Sequence, residues 1–202
     1  MFRRVIHKTV QAWIEDVDWP LISEGYVGSS HNGIINPHLW KLNKRISLAT
    51  QMLTHTQSSG TMMQVTNYGL AGLCEQHIDP HGIMETNDDY YQYANHELYI
   101  HGDIVATFMA WLSHTEEGGG TAFLSPGTEG LILPDRGSAV FWYDLKSDGY
   151  RDTLASHAGC PVLKGSKWIL NKWLHLYDNH KLFPCNIERN KFYDPPEKKH
   201  YL

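Results

Sequence analysis

Cysteine is scarce in this chain. There are three in 202 residues, Cys74, Cys160 and Cys185, and none forms a C-x-x-C pair, which argues against a structural zinc knuckle. No apolar run is long enough to cross a membrane as a helix. No long basic run exists and the net charge is -5, which argues against a nucleic-acid groove as the main partner. Internal repeats, low-complexity tracts, Asn-x-Ser/Thr acceptors and a terminal retention signal are all missing. Met1–Lys8 carry charge but lead into no apolar h-region, so no secretory signal is expected. What is present in quantity is aromatic: seven Trp and eleven Tyr. Most of these read as cross-strand pairs in a β-rich core.

An apolar fraction of 42% and a charged fraction of 19% are those of an ordinary globular protein, and the length suits one domain with a sizeable core. Residues 34–58 form the best helical stretch. Leu39, Leu42, Ile46, Ala49, Met52 and Leu53 recur at spacings of three and four, Asn36-Pro37 starts the helix, and Ser58-Ser59-Gly60 ends it. From there the pattern changes to short strands cut by Gly and Pro: 62–68, 73–79, 104–112, 121–124, 130–133, 138–143, 156–163 and 168–174. Lys164-Gly165-Ser166 predicts a hairpin between the last two. The polar, tyrosine-rich residues 82–102 read as a loop over a site, and the tail after Cys185 as frayed. Many short strands with frequent turns predict a mainly β fold, a sandwich or double-stranded barrel with a flanking helix.

The chemistry centres on His77-Ile78-Asp79. On a strand, residues two apart share a face, so His77 and Asp79 are able to grip one ion, with His157 arriving from a distant strand. Two imidazoles and one carboxylate suit a divalent iron that keeps positions open for other ligands. His81 is a rival because it continues the alternation, although Pro80 ends the strand. His175, at the end of the last strand, is a rival for the distal role. Lys167, ten residues past His157, suggests an anionic co-substrate beside the metal, but by position alone it also reads as a solvated turn lysine. Alternation puts Lys167, Ile169, Asn171 and Trp173 on one face, and a hairpin at Gly165 sets Trp173 roughly opposite His157.

The block Met63-Gln64-Val65-Thr66-Asn67-Tyr68-Gly69, then Gly72 and His77-Ile78-Asp79, resembles the catalytic domain of collagen-type prolyl 4-hydroxylase α subunits. So do Gly118-Gly119-Gly120-Thr121-Ala122-Phe123, Gly137-Ser138-Ala139-Val140-Phe141-Trp142-Tyr143, and His157-Ala158-Gly159-Cys160-Pro161-Val162-Leu163 followed by Lys167-Trp168 and Asn171-Lys172-Trp173-Leu174-His175. The likeness covers about residues 62–185. It implies one catalytic domain over 1–202, with a divergent part at 1–61, a core at 62–185 and a tail at 186–202. The implied fold is a double-stranded β-helix of the jelly-roll or cupin kind. The implied site holds Fe(II) on His77, Asp79 and His157, with Lys167 binding the distal carboxylate of 2-oxoglutarate, helped by Tyr68 and Thr121, and Trp173 walling the pocket. The family reaction splits O2, decarboxylates 2-oxoglutarate to succinate and CO2, and hydroxylates prolyl C4 in proline-rich, collagen-like chains. L-ascorbate (vitamin C) rescues iron that oxidises without turnover.

By the same resemblance, Cys160 and Cys185 match a cysteine pair, which implies a disulfide and the endoplasmic reticulum lumen. Protein disulfide isomerase is then the expected β subunit. Two positions depart from the family: Cys74 stands where a tyrosine near the substrate proline is usual, and Ile104 where an arginine opens the strand. Both are expected on the substrate side, so a different peptidyl acceptor, or a non-catalytic peptide-binding or assembly module, stays open beside prolyl hydroxylation.

Overall fold

A computed structural model describes residues 9–14, 37–56, 58–79, 101–127 and 129–188. The rivals and elements expected at His81, Asn36, residues 82–100 and the last residues of the tail lie outside them. Among the described residues one helix of useful length, α1 (Pro37–Thr50), lies between the first strand and the rest. Its sequence-based end at Ser58 is too late. The Thr50 hydroxyl donates to the Ile46 carbonyl at 2.8 Å and accepts the Met52 N–H, while Gln51 turns to a φ of +60°. A left-handed residue just past the last turn stops an α-helix. The buried stripe is accordingly Asn43, Ile46 and Thr50 flanked by Leu39 and Leu42, whereas Ala49 and Leu53 face outward.

The described residues contain eleven short strands, most of them bounded by the Gly and Pro punctuation: β1 (Thr9–Ile14), β2 (Met63–Tyr68), β3 (Cys74–His77), β4 (Ile104–Trp111), β5 (Glu117–Gly118), β6 (Thr121–Phe123), β7 (Gly130–Ile132), β8 (Ala139–Tyr143), β9 (His157–Gly159), β10 (Val162–Lys164) and β11 (Lys167–His175). A short helix, α2 (Leu176–Asn179), closes the series. Strands β1 and β5 carry no pattern that the sequence reading picked up.

Among the described residues three antiparallel sheets result: a larger one ordered β1-β2-β11-β4-β8, a smaller one ordered β3-β9-β6-β7, and the pair β10-β5. The chain crosses repeatedly between the larger and the smaller sheet: β2 to β3, β3 to β4, β4 to β6, β7 to β8 and β8 to β9. That alternation makes the double-stranded β-helix. It also corrects the expected hairpin at Lys164-Gly165-Ser166. Gly165 does turn the chain, with a φ of +80°, but β10 pairs with β5 while β11 inserts between β2 and β4.

Alternation along the larger sheet sorts its side chains into two cores. The outer face packs Met63, Leu170, Val65, Phe108 and Ala110 against Ile46, Leu39 and Leu42 of α1. The inner face puts Tyr68, Met109, Trp111 and Ile169 against Val162 and, from the smaller sheet, Cys74 and Ile132. A third cluster of Met52, Val105, Leu145, Leu174 and Phe183 closes the far end of β11.

Candidate metal centre and anion pocket

Strand pairing brings the candidate ligands together. His77 ends β3 and its Cα partner on β9 is His157, so the two imidazoles lie side by side with ring centroids 4.2 Å apart. Asp79 follows two residues on. His77 Nε2 lies 3.5 Å from Asp79 Oδ1, and His157 Nε2 lies 3.8 Å from Asp79 Oδ2. All three donor atoms fall within 4.8 Å of one another. The rival His175 is elsewhere, its ring 5.7 Å from His101 and its Nδ1 3.2 Å from the Gly102 carbonyl.

The donor set suits a cation. His77 Nδ1 is 2.6 Å from the Glu75 carbonyl and His157 Nδ1 is 2.9 Å from the Ala155 carbonyl. A carbonyl only accepts, so each ring carries its proton on Nδ1, and each Nε2 offers a lone pair. Both lone pairs point at a carboxylate, an arrangement that repels unless a cation sits among them. Metal-ligating histidines are commonly oriented this way, by a backbone carbonyl that holds the ring's other N–H. Two rings back the pair: Trp142 stands 4.8 Å from His157, edge to face, and Phe123 lies 5.8 Å from it.

Lys167 opens β11 opposite Tyr68 and points inward. It is not a solvated turn lysine: its relative exposure is 2%. Its Nζ lies 3.4 Å from both the Gly120 carbonyl and the Thr121 hydroxyl, and 5.3 Å from the centroid of the Tyr68 ring. Among the described residues it has no carboxylate partner. Burial therefore pushes the ammonium down from 10.5 to about 8, partly offset by the Cys160 and Cys74 thiols. A buried cation with only neutral partners is a pocket shaped for an anion.

Trp173 does not lie beside His157 on a hairpin. It reaches the cavity from the opposite sheet, paired with Thr107, whose hydroxyl touches Asp79. Cys74 borders His77 on the side of its Nδ1, the nitrogen turned away from the donor cluster. Its Sγ is 3.7 Å from His77 Nδ1, and it adjoins the core under Lys167. Ile104 is buried at the far end of β4.

The Cys160–Cys185 bridge is a correction, since all three cysteines are free thiols. Cys160 sits at the Lys167 end, its N–H bonded to the Gly120 carbonyl. Cys185 follows Phe183, which packs with Leu174 at the other end of β11. Seven residue steps along the strand lead from Lys167 to Leu174, a span of about 23 Å. A disulfide tolerates no more than about 7 Å between Cα atoms.

Sequence reasoning missed Thr107, Asp144, Phe123 and Trp142. A threonine within the apolar run of β4, on the same alternation as Met109 and Trp111, was the available signal for the first.

Fold and site thus define a double-stranded β-helix whose interior joins a two-histidine, one-carboxylate cluster to a buried lysine. The profile of the 2OG-Fe(II) oxygenase superfamily matches residues 63–175, and the chain belongs to that superfamily, whose members are oxidoreductases using Fe(II), 2-oxoglutarate and O2. It is 30% identical over 205 residues to prolyl 4-hydroxylase subunit alpha-2 of Caenorhabditis elegans, covering 93% of this chain and 36% of that subunit. It is 37% identical over 152 residues to prolyl 4-hydroxylase subunit alpha-3 of Homo sapiens, covering 75% of this chain and 26% of that subunit. The chain thus spans about a third of the length of the curated relatives it matches. Among solved structures, the viral collagen prolyl hydroxylase of Paramecium Bursaria Chlorella virus-1, in complex with 2OG, aligns with a TM-score of 0.52 and 21% identity, over 83% of this chain and 78% of that one. That likeness carries the fold.

Proposed function

We propose that this chain is the catalytic unit of a prolyl 4-hydroxylase (procollagen-proline 4-dioxygenase) acting on peptidyl proline in proline-rich, collagen-like chains and releasing succinate and CO2. The observation that carries the reading is a cluster of three oriented metal donors in the same fold as a buried ammonium, Lys167, that has no carboxylate partner among the described residues. The names of the relatives support prolyl C4 as the acceptor.

His77, Asp79 and His157 would hold the metal, each offering one donor atom. When bound, Fe(II) supplies the redox chemistry that couples O2 and 2-oxoglutarate to hydroxylation. Lys167 neutralises the distal carboxylate of 2-oxoglutarate, with the Thr121 hydroxyl as a neutral donor and the Tyr68 ring beneath the ammonium. Phe123 and Trp142 cover His157 and keep water off its ring. Trp173 walls the opposite side. An extended polyproline II substrate suits an aromatic-lined cleft. L-ascorbate as reductant, a disulfide isomerase as β subunit and the endoplasmic reticulum lumen follow from the family resemblance and belong to the same proposal.

Purified protein given Fe(II), ascorbate and a Pro-Pro-Gly repeat peptide is expected to release succinate and form 4-hydroxyproline in equal amounts. Adding a disulfide isomerase tests the partner. Succinate without hydroxyproline moves the acceptor elsewhere, a second reading favoured by Cys74 against His77 and by the burial of Ile104. Neither product under any condition favours a binding or assembly module.

A further inference from the structure

One hydroxyl in this site has more acceptors than protons. Thr107, buried in the middle of β4, places its Oγ1 2.7 Å from Asp79 Oδ2 and 2.6 Å from Asp144 Oδ2. Asp144 directly follows β8, is fully buried, and accepts the Trp142 indole N–H on Oδ1 at 2.9 Å. The same Trp142 ring leans on His157. A threonine hydroxyl donates one hydrogen bond, and two carboxyl oxygens lie within hydrogen-bond distance of this one.

We propose that Thr107 is a positioning residue for the carboxylate ligand of the metal, relaying a hydrogen-bond chain that runs from Asp144 through its hydroxyl to Asp79. The inference rests on reading His77, Asp79 and His157 as a metal site. A carboxylate that ligates a cation is ionised and only accepts, so Thr107 donates to Asp79. The second oxygen contact of Thr107 is then satisfied only if Asp144 donates, as a buried carboxylic acid. Its geometry agrees: Oδ1 receives the indole N–H as a carbonyl oxygen, and Oδ2 carries the proton towards Thr107. The chain fixes the rotation of Asp79, and with it the direction of the lone pairs offered to the ion. Backbone geometry supports both ends, because the Asp144 N–H bonds the Val105 carbonyl and Thr107 pairs with Trp142 across β4 and β8.

Titration of purified protein with Co(II), whose visible bands report ligand geometry, tests the relay without turnover. Thr107→Val is expected to weaken Co(II) binding by tenfold or more and to shift the bands, within the range seen for lost outer-shell partners of metal ligands. Thr107→Ser, which restores the hydroxyl, is expected within threefold of the unsubstituted protein. Asp144→Asn is also expected within threefold, since its amide N–H replaces the acid proton while its carbonyl keeps the Trp142 bond. Thr107→Val binding as tightly as the original, or a tenfold change either way in Asp144→Asn, overturns the relay. If Thr107→Val does not fold, Asp144→Asn against Asp144→Leu gives the same answer, with loss expected only in the second. Failure of the unsubstituted protein to bind Co(II) overturns the metal reading itself and the relay with it.

Discussion

Lys167 is under the greatest tension of any single residue here. Holding its ammonium in the ligand-free pocket at neutral pH costs on the order of 3 kcal/mol, from the drop between 10.5 and about 8. An anionic co-substrate removes that cost. Two opposite pH trends follow. The anion requires the charged lysine, so 2-oxoglutarate affinity is full below about pH 8 and falls as pH rises through it. The ligand-free fold behaves the other way. Between about 8 and 10.5 the unfolded chain holds the proton more tightly, so stability rises with pH across that window. Lys167→Met should therefore raise the Tm of the ligand-free protein, because a buried charge without a counter-charge is replaced by packing, while raising the 2-oxoglutarate requirement at least tenfold. Calorimetry with and without 2-oxoglutarate reads both effects. A lowered Tm with unchanged affinity contradicts the anion role. For the metal, Asp79→Ala is expected to abolish Co(II) and Fe(II) binding, since it removes the only anionic donor in the cluster; equilibrium dialysis measures it directly. Strand alternation made His77 and Asp79 legible as a pair, whereas the family resemblance carried the choice of His157 and Lys167. The burial of Lys167 was not legible, since spacing alone does not distinguish a turn lysine from one that enters the barrel.

At the scale of elements, the pairing of β3 with β9 is what makes a site out of scattered residues. Its tightest point is Gly159, which pairs with Cys74 on one side and Thr121 on the other. A Cβ on Gly159 lies 3.2 Å from Cys74 Cβ and 3.4 Å from the Cys74 backbone nitrogen, so one strand has to give by a few tenths of an ångström. Gly159→Ala should destabilise the fold by about 1–3 kcal/mol, as overpacking usually does. It should also weaken Co(II) binding, because His77 and His157 move apart with the strands. Chemical denaturation and metal titration on the same variant check the two together; a stability loss with intact metal affinity argues that the ligands are held by something other than this pairing. Most strands could be read from period-two patterning and Gly or Pro breaks. The errors have physical reasons. The two-residue β5 has no room for a period to show. The helix was drawn too long because Met52 and Leu53 continue its spacing, while the actual stop is made by Thr50 and Gln51 through hydrogen bonds and a left-handed φ. The hairpin at Gly165 failed because a turn residue specifies reversal of direction and not which sheet receives the next strand.

Over the whole molecule, the alternation of consecutive strands between two sheets puts the two halves of the site under different control. The smaller sheet holds the histidines, the larger holds Lys167, Thr107 and Trp173, and the core between them sets their separation. This division also decides the fate of the cysteines. Cys74 and Cys160 lie at the Lys167 end, and Cys185 is exposed beyond the opposite cluster of Met52, Leu174 and Phe183. With roughly the length of β11 between them, a bond from Cys160 to Cys185 requires the end of the barrel to unravel. Alkylation of the native, unreduced protein should therefore label Cys185 readily, and full denaturation without reductant should expose three alkylatable thiols in intact mass. Cys185→Ser should leave the Tm unchanged in both oxidising and reducing buffer. A fall in Tm confined to oxidising buffer, together with only one alkylatable thiol after denaturation, means that the two ends of the barrel come within bonding distance and that the placement of residues 176–188 is wrong. The metal cluster would survive that result, since its histidines are set by the pairing of β3 with β9 and Asp79 by Thr107 of β4, whereas the environment of Lys167, which Cys160 adjoins, would change.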